Sequence, residues 1–495
     1  MKTTFLYRNY AEANPDLAEL YGNDDEVALR EHYEKYGAAE RRGVNLEDYL
    51  RVEKVLLSEE GHICISGWAD RRMADSIAVT LVVGYTMYEF GELRDRFCWY
   101  HRQDVAEVIG DFERPSGYLF LAQIPDFRMH SEVMVLVNGK KYYESKAMRW
   151  MSVQSFMSDA LSTCAVLADR PVGTTMPLTE KLAPGFSQVW TSYLDRLSFT
   201  KLYETGAERA VDRSIVITLY RDTTMLLSQL ETLAPALAGQ PVEVVVVAND
   251  YTGETHLLTA QLAAFSQLHD ICLSVHLCSG NSGFSAGNNY GAGVARGETL
   301  IFMNPDIFPP EGQEDQAFAF LTGDPGEGLD GALLYYGDGS LMHSGMYTTS
   351  DQAVDARQGF AEPVMRVEHY GKGLSLHVDD DDATTEAALA DVPERGILVT
   401  AALWRIRKAV FQEMGGLPTD YIIAYYEDAD FCLKMLEAGR PVRLDRGSRW
   451  IHMEGVSKPR PARLRAVMWL NRAHYSRRFA GSPFLAPAAT DLSQL

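Results

Sequence analysis

The sequence predicts an α/β protein with a doubly wound, mostly parallel sheet, preceded by a small helical module and a β-sandwich-like accessory domain. From Ser214 onward, short apolar runs alternate with amphipathic segments of helical length. This pattern is typical of parallel strands joined by right-handed crossovers. Between residues 50 and 150, short alternating segments separated by turn residues indicate antiparallel strands instead.

The chain divides into five segments that differ in composition and hydrophobic periodicity. Residues 1–48 are polar with helical spacing, and we interpret them as a helical module. Residues 50–150 predict the β-sandwich-like domain, and 151–211 a helical linker. The α/β domain is expected over 212–480, followed by a C-terminal tail at 481–495.

Within the α/β domain, the apolar periodicity predicts each element in turn. The expected strands are Ser214–Leu219, Val242–Val247, Ile271–Leu277 and Thr299–Met303. The expected helices between them are Thr223–Leu237, Glu254–Leu268 and Ser285–Arg296. Because open α/β sheets bind ligands at the carboxyl ends of their strands, a crevice is expected at that edge.

Composition excludes some function classes. The chain has 46 Lys and Arg against 68 Asp and Glu, a net charge of −22, which argues against nucleic acid as a partner. Six cysteines without a C-x-x-C pair indicate buried thiols in a reducing compartment. No apolar run approaches the ~20 residues of a transmembrane helix, so a cytoplasmic location is expected.

Charge is unevenly distributed along the chain. Residues 457–478 contain seven Lys and Arg residues and no acidic residue. This stretch is either a solvated basic face or a positive rim that attracts diphosphate groups or an anionic membrane surface. A peripheral contact with the inner face of a membrane therefore stays open, as does a homo-oligomer. The acidic run Asp379–Asp382 is interpreted as a mobile, solvated loop in an insertion between Gly345 and Pro393.

Two features indicate a ligand site. The segment Asn281–Gly291 is rich in small residues, which would let backbone amides approach a bound group. The buried strand Thr299–Met303 is followed by Asn304-Pro305-Asp306, which places a carboxylate at the carboxyl edge of the sheet. A carboxylate there suits Mg²⁺ or Mn²⁺.

Further blocks follow downstream in a fixed order. They are Gly331–Ser340, Val399–Lys408, Tyr425–Lys434, Ala438–Val442 and Trp450–Met453. With the Asn281–Gly291 and Asn304-Pro305-Asp306 motifs, they resemble the motifs of family 2 glycosyltransferases over residues 212–480, including the pattern (Y/W)-(E/D)-D-x-D. The resemblance implies a GT-A-like fold, a nucleotide-sugar donor and Mn²⁺ or Mg²⁺ as cofactor.

The resemblance also implies a role for individual residues. Asp428 is implied as the base that takes the acceptor proton, since a sugar hydroxyl is a poor nucleophile. Glu427 and Asp430 are implied at the acceptor, and Asp306 and His452 at the metal. The residues implied in nucleotide-sugar binding are Thr218, Arg221, Asn249, Asp250, Asn281, Gly283, Phe284, Asn289 and Asn304. On local grounds alone, the three carboxylates could simply complement the positive end of a helix beginning at Glu427.

One departure from the family pattern affects donor recognition. The family ends its second strand with an aspartate that binds the pyrimidine base, whereas this chain has Ala248. Either Asp250 or Asn249 substitutes, or the base is recognised differently. The expected donor is dTDP-rhamnose or a UDP-sugar, and the expected acceptor is a glycan or lipid-linked glycan.

The sequence thus predicts an inverting, metal-dependent glycosyltransferase. Two alternatives remain open: a nucleotidyltransferase, and a non-catalytic glycan-binding or scaffold protein that kept the fold. Ala248 and Asn304 are the residues that favour the scaffold.

Overall fold

The computed structural model divides the chain into two units, residues 1–189 and 190–495. It describes residues 7–37, 39–40, 42, 50–70, 79–83, 86–89, 97–124, 133–137, 140–145, 150–167, 170, 172–221, 223, 225–355, 360–371, 373–453 and 462–482. Most of the expected tail, 481–495, lies outside these residues. The expected segment boundaries at 48, 150 and 211 stay predictions.

The first unit opens with three short helices around a small core. They are α1 (Tyr7–Ala13), α2 (Pro15–Tyr21) and α3 (Glu26–His32), followed by a wide turn at Tyr33–Gly37. Tyr10, Leu17 and Leu29 are buried between them. The Asp25 side chain caps α3 by accepting from the Ala28 amide, as short polar residues do at helix starts.

Two four-stranded antiparallel sheets follow in the first unit. Their strands are β1 (Leu50–Leu57), β2 (His62–Ala69), β3 (Val79–Val83), β4 (Thr86–Glu89), β5 (Phe97–Tyr100), β6 (Gly117–Gln123), β7 (Val133–Val137) and β8 (Lys140–Ser145). The strand orders are β1-β2-β6-β5 and β4-β3-β7-β8. The helices are α4 (Gln103–Ile109), α5 (Val153–Cys164) and α6 (Val172–Leu194), and α6 contains the division between the units.

The second unit contains a ten-stranded sheet and a two-stranded hairpin. Its strands are β9 (Phe199–Thr205), β10 (Arg213–Tyr220), β11 (Val242–Asn249), β12 (Cys272–Cys278), β13 (Thr299–Met303), β14 (Ile307–Phe308), β15 (Leu329–Tyr335), β16 (Leu341–His343), β17 (Met346–Asp355), β18 (Phe360–His369), β19 (Leu403–Arg407) and β20 (Val442–His452). Its helices are α7 (Leu226–Leu237), α8 (Thr255–His269), α9 (Gly283–Val294), α10 (Glu314–Thr322), α11 (Asp382–Ala388), α12 (Lys408–Glu413), α13 (Glu427–Glu437) and α14 (Ala462–Phe479).

The large sheet is wound on both faces, as the sequence predicts. Alternate residues of β10 and β11 point to opposite sides: Ile217 packs with α7, α8 and α10, whereas Val216 packs with α9 and α13. Each such buried branched side chain contributes about 1.5–3 kcal/mol of transfer free energy. The sheet order is β14-β20-β15-β19-β13-β10-β11-β12-β9, with β16 beside β15.

The topology determines where a ligand crevice opens. The parallel strands β10 to β13 lie in the order β12-β11-β10-β13, so the winding direction reverses between β10 and β13. Ligands of open α/β sheets bind at such a switch point, beyond the carboxyl ends of the strands. Arg221 follows β10 and Asn304 to Asp306 follow β13, so both segments border this position.

The 345–393 insertion differs from the expected loop. It contains the long antiparallel pair β17 and β18 and the helix α11. Within the acidic run, Asp381 caps α11 by accepting from the Thr384 amide at 2.7 Å, and Asp382 pairs with Arg449 at 2.8 Å. Asp379, Asp381 and Asp382 are exposed, as expected of a solvated run, but the run also leads into α11 and supplies its cap. No helix in the described part of the chain is long and apolar enough to cross a bilayer.

Candidate active site

Asp306 and His452 form a close pair at the carboxyl edge of the sheet. Oδ1 of Asp306 lies 3.2 Å from Nε2 of His452. The strand pair β14–β20 aligns Ile307 with His452, and the Met453 amide donates to the Asp306 carbonyl oxygen. Main-chain pairing therefore brings together two residues that are far apart in the sequence, as the family resemblance requires.

The pair meets a simple test for a divalent cation. Adjacent oxygen or nitrogen ligands of an octahedral ion, each at ~2.1 Å, lie about 3 Å apart, close to the observed spacing. Nδ1 of His452 is buried and has no hydrogen-bond partner among the described residues, and Asp306 keeps 28% of its side chain exposed. No group of three or more metal-ligating side chains occurs among the residues described, so other ligands would come from a diphosphate or water.

A buried glutamine holds the turn that presents Asp306. Gln229, on α7, is fully buried, and its Nε2 donates to the carbonyl oxygens of Asn304 at 2.6 Å and Ile307 at 2.7 Å. The Asn304 amide donates to the Ala402 carbonyl oxygen at 2.8 Å. The turn is thus fixed on both sides, and Asn304 lies half-buried within it. The sequence analysis missed Gln229 because it occupies an apolar helix face without a recognisable motif.

Asn249, which was predicted to bind the nucleotide sugar, instead holds the segment that begins at Asn281. Oδ1 of Asn249 accepts from the Ser282 amide at 2.7 Å and its hydroxyl at 3.0 Å. Nδ2 donates to Oδ1 of Asn281 at 3.3 Å and to the Gly283 carbonyl oxygen at 3.2 Å. Oδ1 of Asn281 also accepts from the Gly283 amide. Asn249 is 3% exposed and its amide is fully engaged, so it shapes the loop rather than replacing the base-binding aspartate.

The small residues of α9 serve packing, contrary to the expected approach of amides to a ligand. A Cβ at Gly283 would lie 2.6 Å from the Ile423 carbonyl oxygen, and one at Gly291 2.4 Å from Val216 Cγ1. Gly287 faces Thr218 in the same way, at 2.8 Å. These glycines allow the helix to lie directly on the sheet and on the loop at Ile423. Gly283 in addition has φ +69°, which favours glycine.

Two further predicted donor ligands contact protein instead. Asn289 donates through Nδ2 to the Leu417 carbonyl oxygen at 2.8 Å and accepts the Leu417 amide at 2.9 Å, which occupies its side chain. Phe284 packs against the core, and its amide donates to the Ile423 carbonyl oxygen at 2.6 Å. Neither residue is placed as a direct nucleotide ligand, because both connect α9 to the segment before Asp428.

The ends of β10 and β11 carry the remaining predicted donor residues. The Arg221 guanidinium pairs with the Asp250 carboxylate at 3.1 Å, and both residues have left-handed backbones, with φ of 67° and 49°. The Thr218 hydroxyl donates to Oδ1 of Asn288 at 3.0 Å. Ala248 is fully buried in β11, in the apolar cluster that contains α7 and α8 residues. Asp250, with 24% of its side chain exposed, is thus the partly accessible acidic residue at the end of this strand.

Asp428 lies half-buried in the first turn of α13. Its Oδ1 accepts from the Ala429 amide at 2.8 Å, and its Oδ2 from the Ala401 amide at 3.4 Å. Burial raises the pKa of Asp428 above the usual range for an aspartate, although these amide donors oppose the shift. A carboxylate with a raised pKa is a stronger proton acceptor, which suits a general base.

The two flanking acidic residues are more deeply buried. Glu427 is 5% exposed, and burial followed by the neighbouring Asp428 raises its pKa well above the usual range. Asp430 is fully buried, where it accepts from the Tyr421 hydroxyl and pairs with Arg478 and Lys434. The prediction that Asp430 contacts the acceptor is therefore wrong, because its carboxylate is enclosed by these three side chains.

A histidine pair connects the two halves of the site. His343, fully buried, lies with Nδ1 3.1 Å from Nδ1 of His369, and burial holds the pKa of His343 well below its usual range. His343 interacts electrostatically with both His369 and His452, and His369 with Asp428. His452 and Asp428 therefore each lie near one imidazole of this pair, whose histidines stand in no motif of the sequence.

Two arginines of the basic stretch pair with carboxylates of the same unit. Arg472 is 8% exposed and binds Asp351 and the Met365 carbonyl oxygen, while Arg478 pairs with Asp420 and Asp430. Lys458 and Arg460 lie outside the described residues. Arg472 is thus unavailable to an exposed positive rim, whereas Arg463 is partly exposed and Arg477 exposed, so both interpretations of the stretch stay predictions. All six cysteines are buried free thiols.

Comparison with known proteins agrees with this architecture. Residues 214–341 match the model "Glycosyl transferase family 2", a range that contains the Asn281 segment and Asp306. Residues 214–341 of the second unit thus match this family, in agreement with the resemblance predicted from the sequence.

Similarity to individual proteins is more limited. The uncharacterised protein y4gI of Sinorhizobium fredii is 28% identical over 156 residues, covering 32% of this chain and 15% of y4gI. The O-antigen biosynthesis protein RfbC of Myxococcus xanthus is 25% identical over 205 residues, covering 41% of this chain and 14% of RfbC. The chain thus spans a small part of both relatives. Among solved structures, GalNAc-T7 with UDP, GalNAc and Mn²⁺ is 16% identical with a TM-score of 0.34, covering 52% of this chain and 46% of that one.

Proposed function

We propose that the second unit is an inverting, metal-dependent glycosyltransferase that moves a sugar from a nucleotide-diphosphate sugar to a glycan or lipid-linked glycan. The observation that carries the proposal is the pair Asp306–His452, 3.2 Å apart at the switch-point edge of the sheet. Asp428 supports it as a carboxylate whose pKa is raised by burial.

In this proposal each residue has a separate task. Asp306 and His452 hold Mn²⁺ or Mg²⁺. The bound cation would neutralise charge on the diphosphate leaving group. Asp428 accepts the proton of the acceptor hydroxyl while that oxygen forms the new bond to the anomeric carbon. The bond to the diphosphate breaks on the opposite face of the sugar, which inverts the configuration.

The contacts of Asn249 favour its neighbour Asp250 as the residue that binds the base. Since the Asn249 amide is fully engaged, Asp250 is the better candidate to bind a pyrimidine base. A dTDP- or UDP-sugar is therefore the proposed donor. The similarity to an O-antigen biosynthesis protein supports a bacterial surface glycan as the acceptor.

The test is nucleoside diphosphate release from a panel of UDP-, dTDP- and GDP-sugars with Mn²⁺. Slow release from one or a few of them supports the transferase. If no sugar nucleotide of the panel is bound and none releases diphosphate, the proposal is contradicted. Binding without diphosphate release favours the scaffold alternative. A nucleotidyltransferase would instead release pyrophosphate from a nucleoside triphosphate, and Arg221, the basic residue available for that role, is paired with Asp250.

A further inference from the structure

The segment before Asp428 has an unusual backbone. We call residues 421–426 the base loop, because it leads directly into α13 and Asp428. Ile423, Tyr425 and Tyr426 have φ of 61°, 89° and 76°. Residues with a side chain rarely adopt this left-handed region, and a β-branched isoleucine least of all. Such a series of conformations persists only when surrounding groups impose it.

One side chain contacts several main-chain groups of this loop. Asn471, on α14, is 1% exposed. Its Nδ2 lies within hydrogen-bonding distance of the carbonyl oxygens of Ile422 at 3.0 Å, Ala424 at 2.8 Å and Tyr425 at 3.2 Å. Its Oδ1 accepts the Ile422 amide at 2.9 Å. A single side-chain amide thus contacts main-chain groups on both sides of the left-handed residue Ile423.

The contact is placed to affect Asp428. Tyr426, the last left-handed residue, immediately precedes Glu427 and α13. The first turn of a helix moves with the residue that precedes it, so a change at Tyr426 would displace the Asp428 carboxylate from the Ala401 amide. A displacement of about 1 Å at a reacting group can cost ~10²-fold in rate.

We propose that Asn471 is a positioning residue, which fixes the Asp428 carboxylate by holding the base loop in its left-handed conformation. This inference rests on the proposed function in so far as Asp428 is the base. The simpler account is that Asn471 only satisfies buried carbonyl groups. That account predicts a loss of stability on substitution but no specific loss of rate.

The substitution Asn471→Asp separates the two accounts, since it keeps the side-chain shape and one acceptor but removes the amide donors. Ser476→Ala is the matched control. Ser476 is on the same helix and 5% exposed, and its hydroxyl accepts the Met365 amide at 2.9 Å rather than a group of the base loop. Both variants are expected to lower Tm. The probes are binding of UDP and dTDP with Mn²⁺, and diphosphate release from the UDP- or dTDP-sugar that wild type uses.

The expected result is nucleotide binding within twofold of wild type for both variants, and a fall in release of ~10²-fold for Asn471→Asp alone. Equal falls in both variants, or no fall in Asn471→Asp, would overturn the proposal. Asn471→Ser retains one donor and should give a smaller fall, which keeps the test open if the aspartate variant does not fold.

A double-mutant cycle tests the contact without reference to activity. Ile423→Gly removes the steric cost of φ 61°, so the loop needs less support. The Tm lost on Asn471→Asp should therefore be smaller in the Ile423→Gly protein than in wild type. Additive losses would contradict the positioning role. Wild type that releases no diphosphate would contradict the proposed function instead, while the cycle still reports on Asn471.

Discussion

The Phe284 amide donates to the Ile423 carbonyl oxygen at 2.6 Å, joining the first turn of α9 to the base loop. A second link runs from Asn289 to both main-chain groups of Leu417, across 128 residues of sequence. The donor-side segment and the segment before Asp428 are thus one hydrogen-bonded structure. Substitution of Asn289 is therefore expected to disturb the segment before Asp428 as well as α9 itself.

Asp306→Ala should abolish Mn²⁺-dependent binding of UDP or dTDP while changing Tm little. Removal of a direct metal ligand should lower metal affinity by more than the ~10–100-fold that is lost when a residue hydrogen-bonded to a ligand is removed. Its pairing with His452 is partly exposed and contributes at most about 1 kcal/mol to stability. Titration calorimetry with and without Mn²⁺ measures the binding.

The control is Asp324→Asn, which removes a carboxylate charge from an exposed pair with Arg407. Arg407 lies opposite Thr299, at the amino end of β13 and away from the proposed site. This variant should bind like wild type. Unchanged Mn²⁺-dependent binding in Asp306→Ala would remove the metal assignment.

Gln229→Leu should be strongly destabilising and should also weaken donor binding. The substitution keeps an apolar helix face but leaves the carbonyl oxygens of Asn304 and Ile307 without their donor. Each buried unsatisfied group costs about 1–3 kcal/mol. Denaturant unfolding measures the stability, and calorimetry the Mn²⁺-dependent binding. A stable variant with normal binding would show that the turn before Asp306 does not depend on Gln229.

The strands and helices around the crevice could be predicted because each one is a contiguous apolar pattern. Thr299–Met303 has the expected bounds, and β10 to β12 are each within two residues of them. The pairing of Asp306 with His452 was expected from motif order. That order specified residue pairs such as Asp306 and His452, which no periodicity could have connected.

The roles of individual amides could not be predicted in this way. Asn249 and Asn289 stand in a donor motif, but their side chains are occupied by Ser282 and Leu417. Whether an asparagine binds a ligand or a backbone depends on contacts distant in sequence. For the same reason Gln229 and Asn471 were missed, since their partners are main-chain groups of remote loops.

Removal of residues 1–150 should leave a protein that binds UDP or dTDP with Mn²⁺, because all the proposed ligands lie in the second unit. The matched truncation removes residues 1–194 and with them two contacts inside that unit. Trp190 donates to the Thr419 carbonyl oxygen at 3.0 Å, and the Tyr193 hydroxyl accepts the Asn281 amide at 2.7 Å. The longer truncation should lose binding. Loss of binding in a folded 151–495 protein would contradict the modular interpretation.

Glu427→Gln should raise Tm at neutral pH. The pKa of Glu427 is raised well above its usual value of 4.5 by burial and by Asp428. Between 4.5 and the raised value, the unfolded chain loses its proton before the folded protein does, so stability falls as pH rises. Glutamine does not ionise, so the variant does not lose this stability as pH rises. The gain should be absent near pH 4 and grow toward pH 7, by a few degrees at most. A gain of equal size at both values would refute the ionisation account.

Asp428→Asn should leave donor binding intact and lower diphosphate release by ~10²–10⁴-fold, since asparagine keeps the shape but cannot accept the proton. In wild type, burial raises the pKa of Asp428, so the rate should fall on acidification at a pH above the ordinary aspartate value of 3.8. The residual rate of Asp428→Asn should not show this fall on acidification, the acidic limb of the pH–rate profile. Glu427→Gln should keep the limb and cost less in rate, because Glu427 is buried beside the base. Initial rates between pH 4 and 8 for the three proteins make the comparison. If Asp428→Asn and Glu427→Gln lower the rate equally and both keep the acidic limb, the two carboxylates act only as charges at the start of α13, and Asp428 is not the base.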